Sequence, residues 1–506
     1  MLLWILFGTA FLSLCCCNAY KILLVFPIST RSHSILGEAY VKYLSEAGHE
    51  VRVLFFYYIV VPVASALRIE LRYLLHDRKE VDLQNVKVML DGGLIFANGT
   101  LHMEEVQKLL DDPKEEFDAV IVEWLYTEMF SGLSAVFNCP LIWSSSMDPH
   151  SFLLSLVDDH LNPAYTTHHL SRSYGLQFWD RVHQLWLLYH ARFSKWTIKN
   201  SENQVFTNIY EKFVTKRGRP LPSYDDVRYN ASLILGNSYI TSGDPISLPQ
   251  SYKAIGGYHI PKKIDPLPQD LQKLMDSAKN GVIYFSMGSL LKSSRIPDNL
   301  KKDLLKVFGS LKQTVIWKLE EALEDLPQNV YILPWVPQTS VLAHPNCVLF
   351  ISHGGLLSKL EALHFGVPII GIPLYGDQFL NINRAEAKGF GKRVDLHQNG
   401  AGKLKEAIRE VLENPRYRER MKEYSFIYHN RPVPPEKELV HWVEHVIKTR
   451  GALHMRSLAL HMPWYQKYFV DLVAVIILVI VVLMLVLCKH CVLLPTQSNV
   501  GQINSQ

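Results

Sequence analysis

The chain has 506 residues, of which 48% are apolar, and its formal net charge is +4. This length allows two ordinary domains with full cores, and the composition is that of a globular protein. The basic residues are dispersed among nearly as many acids, so the clustered basic stripe that nucleic-acid binding needs is missing and no nucleic-acid partner is predicted.

The cysteines are concentrated at the two ends of the chain. Of the seven, only Cys139 and Cys347 lie in the central body. These two fall in different predicted domains, and no Cys-x-x-Cys or paired Cys/His spacing occurs. The sequence therefore predicts neither a disulfide framework nor a structural zinc site.

Both ends of the chain are apolar. Residues 1–19 are predicted to be a signal peptide, with a buried first helix as the alternative. Residues 468–488 are long and apolar enough to cross a bilayer, so a transmembrane helix is predicted there. Basic residues follow it, which places residues 489–506 in the cytosol and the preceding body in the lumen. The sequons at Asn98 and Asn230 agree with this and are predicted glycosylation acceptors.

In chain order, the first predicted elements form a βαβ unit. It consists of a strand over 21–26, a helix over 34–47 and a strand over 50–56. Two further strands, over 119–122 and 140–144, predict an open parallel sheet for an N-terminal domain spanning 20–240. The segment 147–216, rich in Leu, Tyr, His and Trp, is predicted as helices and loops covering the crevice of this domain.

A second sheet is predicted after a Gly-, Pro- and Ser-rich stretch. Residues 241–280 are interpreted as an interdomain connection and residues 281–450 as the C-terminal domain. The strands predicted for it cover 281–286, 313–319 and 330–333, followed by a strand–helix–strand unit. Helices over 403–413 and 436–449 are expected to complete it, the last one packing back toward the first domain. The chain thus divides into two Rossmann-like halves.

The strand–helix–strand unit carries the most informative motif. A strand over 348–352 leads into His353, Gly354 and Gly355, and a helix then covers 356–365. Glycines allow a ligand to approach the backbone closely, and the start of the helix offers N–H groups and a positive dipole end to a diphosphate.

Polar residues on the helix and after the next strand complete this motif. Ser358 adds a hydroxyl, and the carboxylate of Glu361 can accept two ribose hydroxyls. Asp377 and Gln378 follow the next strand, where a carboxylate and an amide suit the vicinal hydroxyls of a hexose.

These residues and their spacing resemble the signature of the UDP-glycosyltransferase family, in its membrane-bound animal, invertebrate-like branch. The resemblance implies an α/β GT-B fold: two Rossmann-like domains facing a cleft, with the acceptor bound by the first and the donor by the second. It also implies that Trp335 stacks on uracil and that Gln338 contacts the nucleoside. One departure is Leu357, where many relatives place an asparagine that contacts the phosphates.

Glycosyl transfer needs a base near the acceptor and stabilisation of the departing UDP. The family places its catalytic histidine in the loop after the first strand, and His33 occupies that place. A carboxylate should hold this histidine, and the local pattern assigns Glu123 rather than the family's aspartate; a surface acid is the alternative reading of Glu123. Ser289 and His353 are expected to surround the diphosphate. No metal and no cofactor is expected, the UDP-sugar being the donor substrate, and direct displacement implies inversion.

A histidine-rich segment raises the possibility of a metal site. Its histidines are His150, His160, His168 and His169. Their spacing is irregular and the neighbours are apolar and aromatic, so a mobile acceptor-covering segment, with the histidines solvated or lining its mouth, is favoured over metal binding.

The resemblance therefore predicts a lumenal UDP-glycosyltransferase of the endoplasmic reticulum membrane, single-pass type I, that conjugates small lipophilic molecules. UDP-glucose is the expected donor by resemblance, with UDP-glucuronic acid as the alternative; a homo-oligomer is left open. Two other functions remain: glycosylation of a membrane lipid such as a sterol or ceramide, or lipophile binding without catalysis. Leu357 and Glu123, as departures from the family pattern, are the basis of the last.

Overall fold

A computed structural model of the chain describes residues 19–28, 30–55, 84–159, 161–288, 296–396 and 400–493. The chain divides into two compact units, Met1–Arg456 and Ser457–Gln506. The predicted signal peptide lies outside the described residues except for residue 19, and so do Ser289, His160 and the tail beyond residue 493.

The first sheet is built from the N-terminal half of the larger unit. Its six strands are all parallel, in the order β2-β1-β3-β4-β5-β6. Helices cover such sheets on both faces, which is why the strands are continuously apolar rather than alternating. The strands are β1 (Lys21–Phe26), β2 (Glu50–Phe55), β3 (Ala119–Glu123), β4 (Leu141–Ser145), β5 (Leu233–Gly236) and β6 (Tyr252–Ala254).

The helices of this half include one of unusual length, α6, with 39 residues. A 3₁₀ turn at Met129–Ser131 precedes α4. The helices are α1 (Arg31–Glu46), α2 (Val86–Leu101), α3 (Glu104–Asp111), α4 (Gly132–Phe137), α5 (Ser151–Leu154), α6 (Phe178–Lys216) and α7 (Tyr224–Arg228).

The second sheet repeats the design with strand order β12-β11-β10-β7-β8-β9, again all parallel. Its strands are β7 (Val282–Ser286), β8 (Thr314–Lys318), β9 (Val330–Leu333), β10 (Cys347–Ser352), β11 (Ile369–Gly371) and β12 (Gly391–Arg393). Its helices are α8 (Gln269–Ser277), α9 (Asp298–Gly309), α10 (Gln338–Ala343), α11 (Leu356–Phe365), α12 (Gln378–Ala387), α13 (Gly400–Glu413), α14 (Pro415–His429) and α15 (Pro435–Lys448).

The stretch predicted as a connection, 241–280, is more ordered than its composition indicates. Strand β6 lies within it and pairs with β5, Ile234 opposite Tyr252. The first sheet therefore extends past the predicted boundary at residue 240. Three residues bounded by Pro and Gly are too short for a periodicity to show, which explains why the sequence did not reveal this strand.

The last long helix of the unit returns to the first half, as expected from the sequence. Leu439 and Val443 of α15 are fully buried in a core that contains Ile22 and Leu24 of β1. The larger unit ends in a 3₁₀ turn at Leu453–Met455.

A buried ion-pair cluster also joins the two halves. Asp148, after β4, lies 3.4 Å from the ammonium of Lys359 in α11 and 3.1 Å from a guanidinium nitrogen of Arg384 in α12. Arg384 also contacts Asp244 of the first half at 2.8 Å. Burial opposes ionisation of Asp148, but the neighbouring cations outweigh it and lower the pKa of this carboxyl.

The smaller unit carries the apolar helix. It contains a 3₁₀ turn at Leu458–Leu460, then α16 (Trp464–Lys467) and α17 (Val470–Leu493). Among the described residues, Val470–Lys489 is one helix that is long and apolar enough to cross a membrane. The predicted span, 468–488, begins two residues earlier.

Candidate active site

The carboxyl ends of the two sheets meet in a cleft inside the larger unit. The side-chain amide of Gln84 donates to the carbonyl of Gly376 at 3.2 Å, and the amide of Asn383 donates to the carbonyl of Arg172 at 3.1 Å. Ligands of open α/β sheets bind at this edge, so a ligand of this chain is expected to contact residues that follow the strands of both halves.

His33 and Glu123 form a hydrogen-bonded pair on the first-half side of the cleft. His33 lies in the first turn of α1, which begins at Arg31, and not in the preceding loop as predicted. Its Nδ1 is 2.6 Å from Oε1 of Glu123, the last residue of β3. The Glu123 side chain is fully buried, whereas that of His33 is 18% exposed. When Nδ1–H donates to this carboxylate, Nε2 keeps a lone pair that can accept a proton.

Two opposing effects set the pKa of His33. Burial favours the neutral ring and lowers the pKa, but the Glu123 carboxylate favours the imidazolium, and Asp377 across the cleft adds to it. The pKa of His33 is raised above its ordinary value as a result.

A second acid lies near this strand but at its opposite end. Asp118 precedes β3, and its carboxylate accepts from the backbone N–H of Lys21 at 2.7 Å. Lys21 begins β1, so this contact is at the amino edge of the sheet. Of these two acids, only Glu123 is placed to orient His33.

The glycine turn that the sequence predicts to bind phosphate is built around the imidazole of His353. A Cβ atom added to Gly288 would lie 2.6 Å from Cε1 of His353, and one added to Gly355 would lie 2.6 Å from its Nε2. The ring thus fits between two stretches of backbone, and it can approach both this closely only because Gly288 and Gly355 have no side chain. Gly288 also has a φ of +82°, which an L side chain rarely adopts.

His353 is held in its neutral form. Burial, with a further contribution from the cation of Lys318, lowers the pKa of His353 to about 4. A neutral imidazole in this position can donate one N–H to a phosphate oxygen.

Lys318 is a residue that sequence reasoning missed. It ends β8, and its ammonium donates to the carbonyl of Gly288 at 2.9 Å and to Glu320 at 2.8 Å. The same ammonium lies 5.9 Å from the centroid of the Trp335 ring. The available signal was a lysine at the carboxyl end of an otherwise apolar strand. Ser289, predicted beside this turn, lies outside the described residues.

The nucleoside residues predicted from the sequence lie together. Gln338 begins α10, and its side-chain amide donates to Glu361 at 2.5 Å and to the hydroxyl of Ser358 at 3.4 Å. Trp335, in the loop after β9, is 55% exposed and so leaves a ring available for stacking. A first-half residue that the sequence did not single out, His259, has its Nε2 3.6 Å from Oε1 of Glu361.

Gln378 begins α12 and Asp377 directly precedes it, after the loop that follows β11. The Asp377 carboxylate accepts from the amide of Asn381 at 2.8 Å, and burial raises its pKa. The side-chain oxygen of Gln378 accepts from the backbone N–H groups of Leu374 at 2.9 Å and Tyr375 at 3.3 Å. The side-chain oxygen of Gln378 therefore stabilises this turn, and the side-chain nitrogen is the atom that can donate to a ligand.

Leu357 has a packing role in the structure. It is partly buried against the core of the first half that contains Leu24 and Val443. An apolar contact across the two halves thus occupies the position where many family members carry a polar side chain.

The described histidines of the histidine-rich segment are packed and not solvated, which corrects one of the two expectations for them. His150, His168 and His169 are at most 8% exposed, and the ring of His169 packs at a tilt against those of His150 and His168, with centroids 4.2 and 4.5 Å apart. Burial lowers the pKa of His150 to about 3 and that of His168 to about 4. Tyr126 contacts Nε2 of His169 at 3.0 Å. Within the described part of the chain, no group of three His, Cys, Asp or Glu side chains is arranged to hold a metal ion.

Both predicted glycosylation acceptors are exposed. Asn98 lies in α2, and Asn230 accepts a hydrogen bond from Arg456. The hydroxyl-bearing residues of the two sequons, Thr100 and Ser232, are fully buried in the folded chain. Glycosylation of Asn98 and Asn230 stays a prediction.

Two facing parallel Rossmann-like sheets with a cleft between them define the GT-B fold. The calicheamicin glycosyltransferase CalG4 shares this fold with a TM-score of 0.55 and 17% identity, covering 85% of this chain and 99% of its own. A UDP-glucosyltransferase from Polygonum tinctorium has a TM-score of 0.53 and 16% identity, with coverage of 85% and 99%. At these identities the likeness shows the fold alone.

The sequence comparisons show the family. The family model described as "UDP-glucoronosyl and UDP-glucosyl transferase" matches residues 100–502. UDP-glucosyltransferase 2 of Dactylopius coccus is 32% identical over 504 residues, 94% of this chain and 92% of its own. Human UDP-glucuronosyltransferase 3A1 is 32% identical over 301 residues, 58% and 56% of the two chains. The chain belongs to the UDP-glycosyltransferase family, as its signature predicts, and is a hexosyltransferase that uses a UDP-sugar.

Proposed function

We propose that the chain is an inverting glycosyltransferase that moves glucose from UDP-glucose to a hydroxyl or similar nucleophile of small lipophilic acceptors, with His33 as the general base. The observation that carries this proposal is the 2.6 Å contact between Nδ1 of His33 and Glu123 at the edge of the cleft. It leaves the opposite ring nitrogen for the acceptor, as the base in a histidine–carboxylate pair requires.

The transfer is a direct displacement. Nε2 of His33 takes the proton of the acceptor hydroxyl as its oxygen forms a bond to the anomeric carbon. The bond from that carbon to the UDP oxygen breaks, and UDP leaves with the electron pair. Glu123 stabilises the imidazolium that forms. Attack opposite the leaving group inverts the anomeric centre, so an α-linked donor yields a β-glycoside.

The charge that develops on UDP is received by the second half. The N–H groups at the start of α11, the neutral imidazole of His353 and the ammonium of Lys318 are the donors assigned to the diphosphate. With one cation and several neutral donors in place, this mechanism uses no metal and no cofactor.

The proposed donor site extends from the diphosphate to the nucleoside on one side and to the sugar on the other. Trp335 is proposed to stack on uracil, and Gln338 and Glu361 to bind the nucleoside. Asp377 and the amide nitrogen of Gln378 are proposed to bind the sugar hydroxyls. Similarity to a Dactylopius coccus protein named a UDP-glucosyltransferase supports glucose as the sugar.

The proposed location is the membrane of the endoplasmic reticulum, with α17 as a type I anchor, the body in the lumen and a short cytosolic tail. The apolar span Val470–Lys489 supports the anchor, and the exposed Asn98 and Asn230 are compatible with a lumenal body.

The first test is a product assay on microsomes that hold the wild type or His33→Ala. UDP-glucose and UDP-glucuronic acid are offered separately with a panel of phenols, and UDP release and product mass are measured. We expect a glucoside from the wild type and at least a hundred-fold less from the variant, about the contribution of a general base. A variant as active as the wild type would reject His33 as the base.

The same assay separates the other functions. Product formed only when lipid extracts replace the phenols would identify a membrane-lipid transferase. UDP-sugar binding without transfer to any acceptor would identify a non-catalytic lipophile-binding relative.

A further inference from the structure

One buried histidine at the boundary between the two halves lacks a hydrogen-bond partner. His259 follows β6 in the first half, and its side chain is fully buried. Neither of its ring nitrogens makes a hydrogen bond within the described part of the chain. Nearly all buried polar atoms in folded proteins are hydrogen-bonded, and an unpaired one costs free energy. His259 therefore requires a small change of geometry or a ligand that completes its bonding.

The side chain that faces His259 is Glu361 of α11, which the proposed function assigns to the nucleoside. Nε2 of His259 lies 3.6 Å from Oε1 of Glu361, just beyond hydrogen-bond distance. The other carboxylate oxygen, Oε2, accepts from the side-chain amide of Gln338 at 2.5 Å. Gln338 of the second half thus fixes one oxygen of Glu361, and the other oxygen faces the first half.

The turn that carries His259 is held by both halves. The backbone N–H of Gly257 donates to Oδ1 of Asn237 in the first half at 3.1 Å. The carbonyl of Gly256 accepts from the guanidinium of Arg431, which follows α14, at 3.0 Å. Gly257 has a φ of +90°, which an L side chain rarely adopts. The backbone therefore fixes the position from which the imidazole of His259 reaches Glu361.

His49 provides an internal comparison. It is also a first-half histidine with a buried side chain, and it faces a glutamate of a late helix, Glu444 of α15. Its Nε2 lies 3.2 Å from Oε1 of Glu444, and its Nδ1 accepts from the backbone N–H of Tyr20 at 3.4 Å. Both ring nitrogens of His49 are thus paired without a ligand, whereas those of His259 are not.

We propose that His259 is a positioning residue for the ribose of the donor. In the tautomer that carries a proton on Nε2, a small movement of either side chain lets it donate to Oε1 of Glu361. Gln338 and His259 then hold one oxygen each, so the carboxylate cannot turn about its terminal bond. A carboxylate has about four acceptor sites, and the remaining ones receive the two ribose hydroxyls. This inference rests on the proposed role of Glu361 at the nucleoside.

The proposed contact makes recognition of the ribose depend on both halves. Gln338 and Glu361 belong to the second half, whereas His259 belongs to the half that carries His33. A deoxyribose lacks one of the two hydroxyls and leaves part of the oriented carboxylate unpaired. Sites built to bind a hydroxyl discriminate against ligands that lack it for this reason. His259 should therefore increase the preference for ribonucleotides over deoxyribonucleotides.

Binding of UDP and of deoxy-UDP, which lacks the 2′-hydroxyl, tests this proposal without any transfer. The full chain is purified in detergent, and the dissociation constant of each nucleotide is measured by titration calorimetry. No sugar and no acceptor is present, so the result is independent of the donor sugar, the acceptor class and the role of His33. We expect the wild type to bind UDP about tenfold more tightly than deoxy-UDP.

The test variant is His259→Leu, which removes the donor and leaves an apolar side chain. UDP should bind about fivefold more weakly and deoxy-UDP nearly as in the wild type, which lowers their ratio to about two. Retained binding of deoxy-UDP confirms that the variant is folded. His259→Gln places a side-chain N–H near the position of Nε2 and should restore the wild-type ratio. The matched control, His49→Leu, removes the histidine that faces Glu444 and should keep that ratio.

Glu361→Gln distinguishes a failure of this inference from a failure of the proposed donor site. If it lowers the ratio while His259→Leu keeps the wild-type ratio, His259 does not position the carboxylate and Glu361 retains its proposed role. If His259→Leu weakens both nucleotides equally and His259→Gln restores neither, His259 is structural and the inference is overturned. A wild-type chain that binds both nucleotides equally well overturns the inference together with the assignment of Glu361 to the ribose.

Discussion

Glu123 influences the proposed reaction only through His33, because its carboxylate is buried and contacts the Nδ1 side of that ring. Only neutral His33 can accept a proton, so kcat/KM should rise with pH as His33 loses its proton. The Glu123 carboxylate raises the pKa of His33 and thereby moves this rise to higher pH.

Replacing Glu123 with Gln removes the charge that raises the pKa of His33 and leaves burial, which lowers it. We expect the rise of kcat/KM to shift to lower pH and the plateau to fall roughly a hundred-fold, since the imidazolium loses its counterion. A pH–rate profile measures both. Asp118→Asn, on the opposite end of β3, is the control and should keep the wild-type inflection; an unshifted profile in Glu123→Gln would contradict the pairing.

The two glycines around His353 lead to a second prediction. In Gly355→Ala the new Cβ would lie 2.6 Å from Nε2 of His353 and must displace this ring, which is proposed to face the diphosphate. We expect UDP to bind at least tenfold more weakly, about 1.4 kcal/mol, as measured by titration calorimetry. Gly92→Ala is the control, because a Cβ there meets nothing within 4 Å. Unchanged affinity for UDP in Gly355→Ala would remove His353 from the donor site.

The sequence could predict those site residues that lie at the ends of predicted strands. His33, Glu123 and His353 follow parallel strands, and the ends of such strands meet at one edge, so their grouping is predictable. His259 was missed because it reaches Glu361 only through the packing of separate segments, and no local spacing records that. Lys318 lies at the carboxyl end of β8, but a lysine at the end of a strand does not by itself indicate a ligand.

At the scale of elements, the ion-pair cluster of Asp148, Lys359 and Arg384 joins the first half to α11 and α12, the helices that carry proposed donor-site residues. Lys359 follows Ser358 on α11 and is fully buried, and Arg384 lies on α12 behind Asp377. Removing one partner of a buried pair costs far more than removing one partner of an exposed pair.

Asp148→Asn should therefore lower the free energy of unfolding by about 3 kcal/mol, because the buried ammonium of Lys359 loses its carboxylate partner and Arg384 keeps only Asp244. Thermal denaturation of the purified chain measures the change. Asp91→Asn, which breaks the exposed pair with Lys87, is the control and should cost less than about 1 kcal/mol. A cost as small for Asp148→Asn as for Asp91→Asn would show that the cluster does not hold the two halves together.

Elements differed in how far the sequence determined them. Strand β1 and helix α11 have their predicted bounds, because a continuous apolar run and a helix ended by Gly366 are strong local signals. Strand β6 was missed because three residues give no period. Helix α1 begins at Arg31, three residues before its predicted start. Its first turn contains Arg31, Ser32 and His33, which carry no apolar pattern, so the sequence did not indicate that they are helical.

For the whole molecule, the buried histidines make stability depend on pH. His150 and His168 stay neutral in the folded chain, because burial lowers the pKa of His150 to about 3 and that of His168 to about 4. In the unfolded chain they take up protons below about pH 6.5. The stability they contribute is complete above that pH and is lost as the pH falls toward the folded-state values.

We expect the melting temperature to fall as the pH is lowered from 7 to 4.5, with each of these two histidines contributing about 2 kcal/mol to the loss. His168→Gln should flatten this dependence, and His441→Gln, which changes an exposed ring, should leave it as in the wild type. His33 acts in the opposite sense, since its raised pKa adds stability at low pH that is lost as the pH rises. A melting temperature of His168→Gln that follows the wild type at every pH would refute the assignment.

The return of α15 to the first half has a consequence for the order in which the protein is made. Leu439 and Val443 complete a core whose other members, Ile22 and Leu24, are synthesised more than four hundred residues earlier. While the ribosome translates the intervening chain, β1 and α1 keep apolar surface uncovered. We therefore expect the core around β1 to be completed only after α15 has left the ribosome.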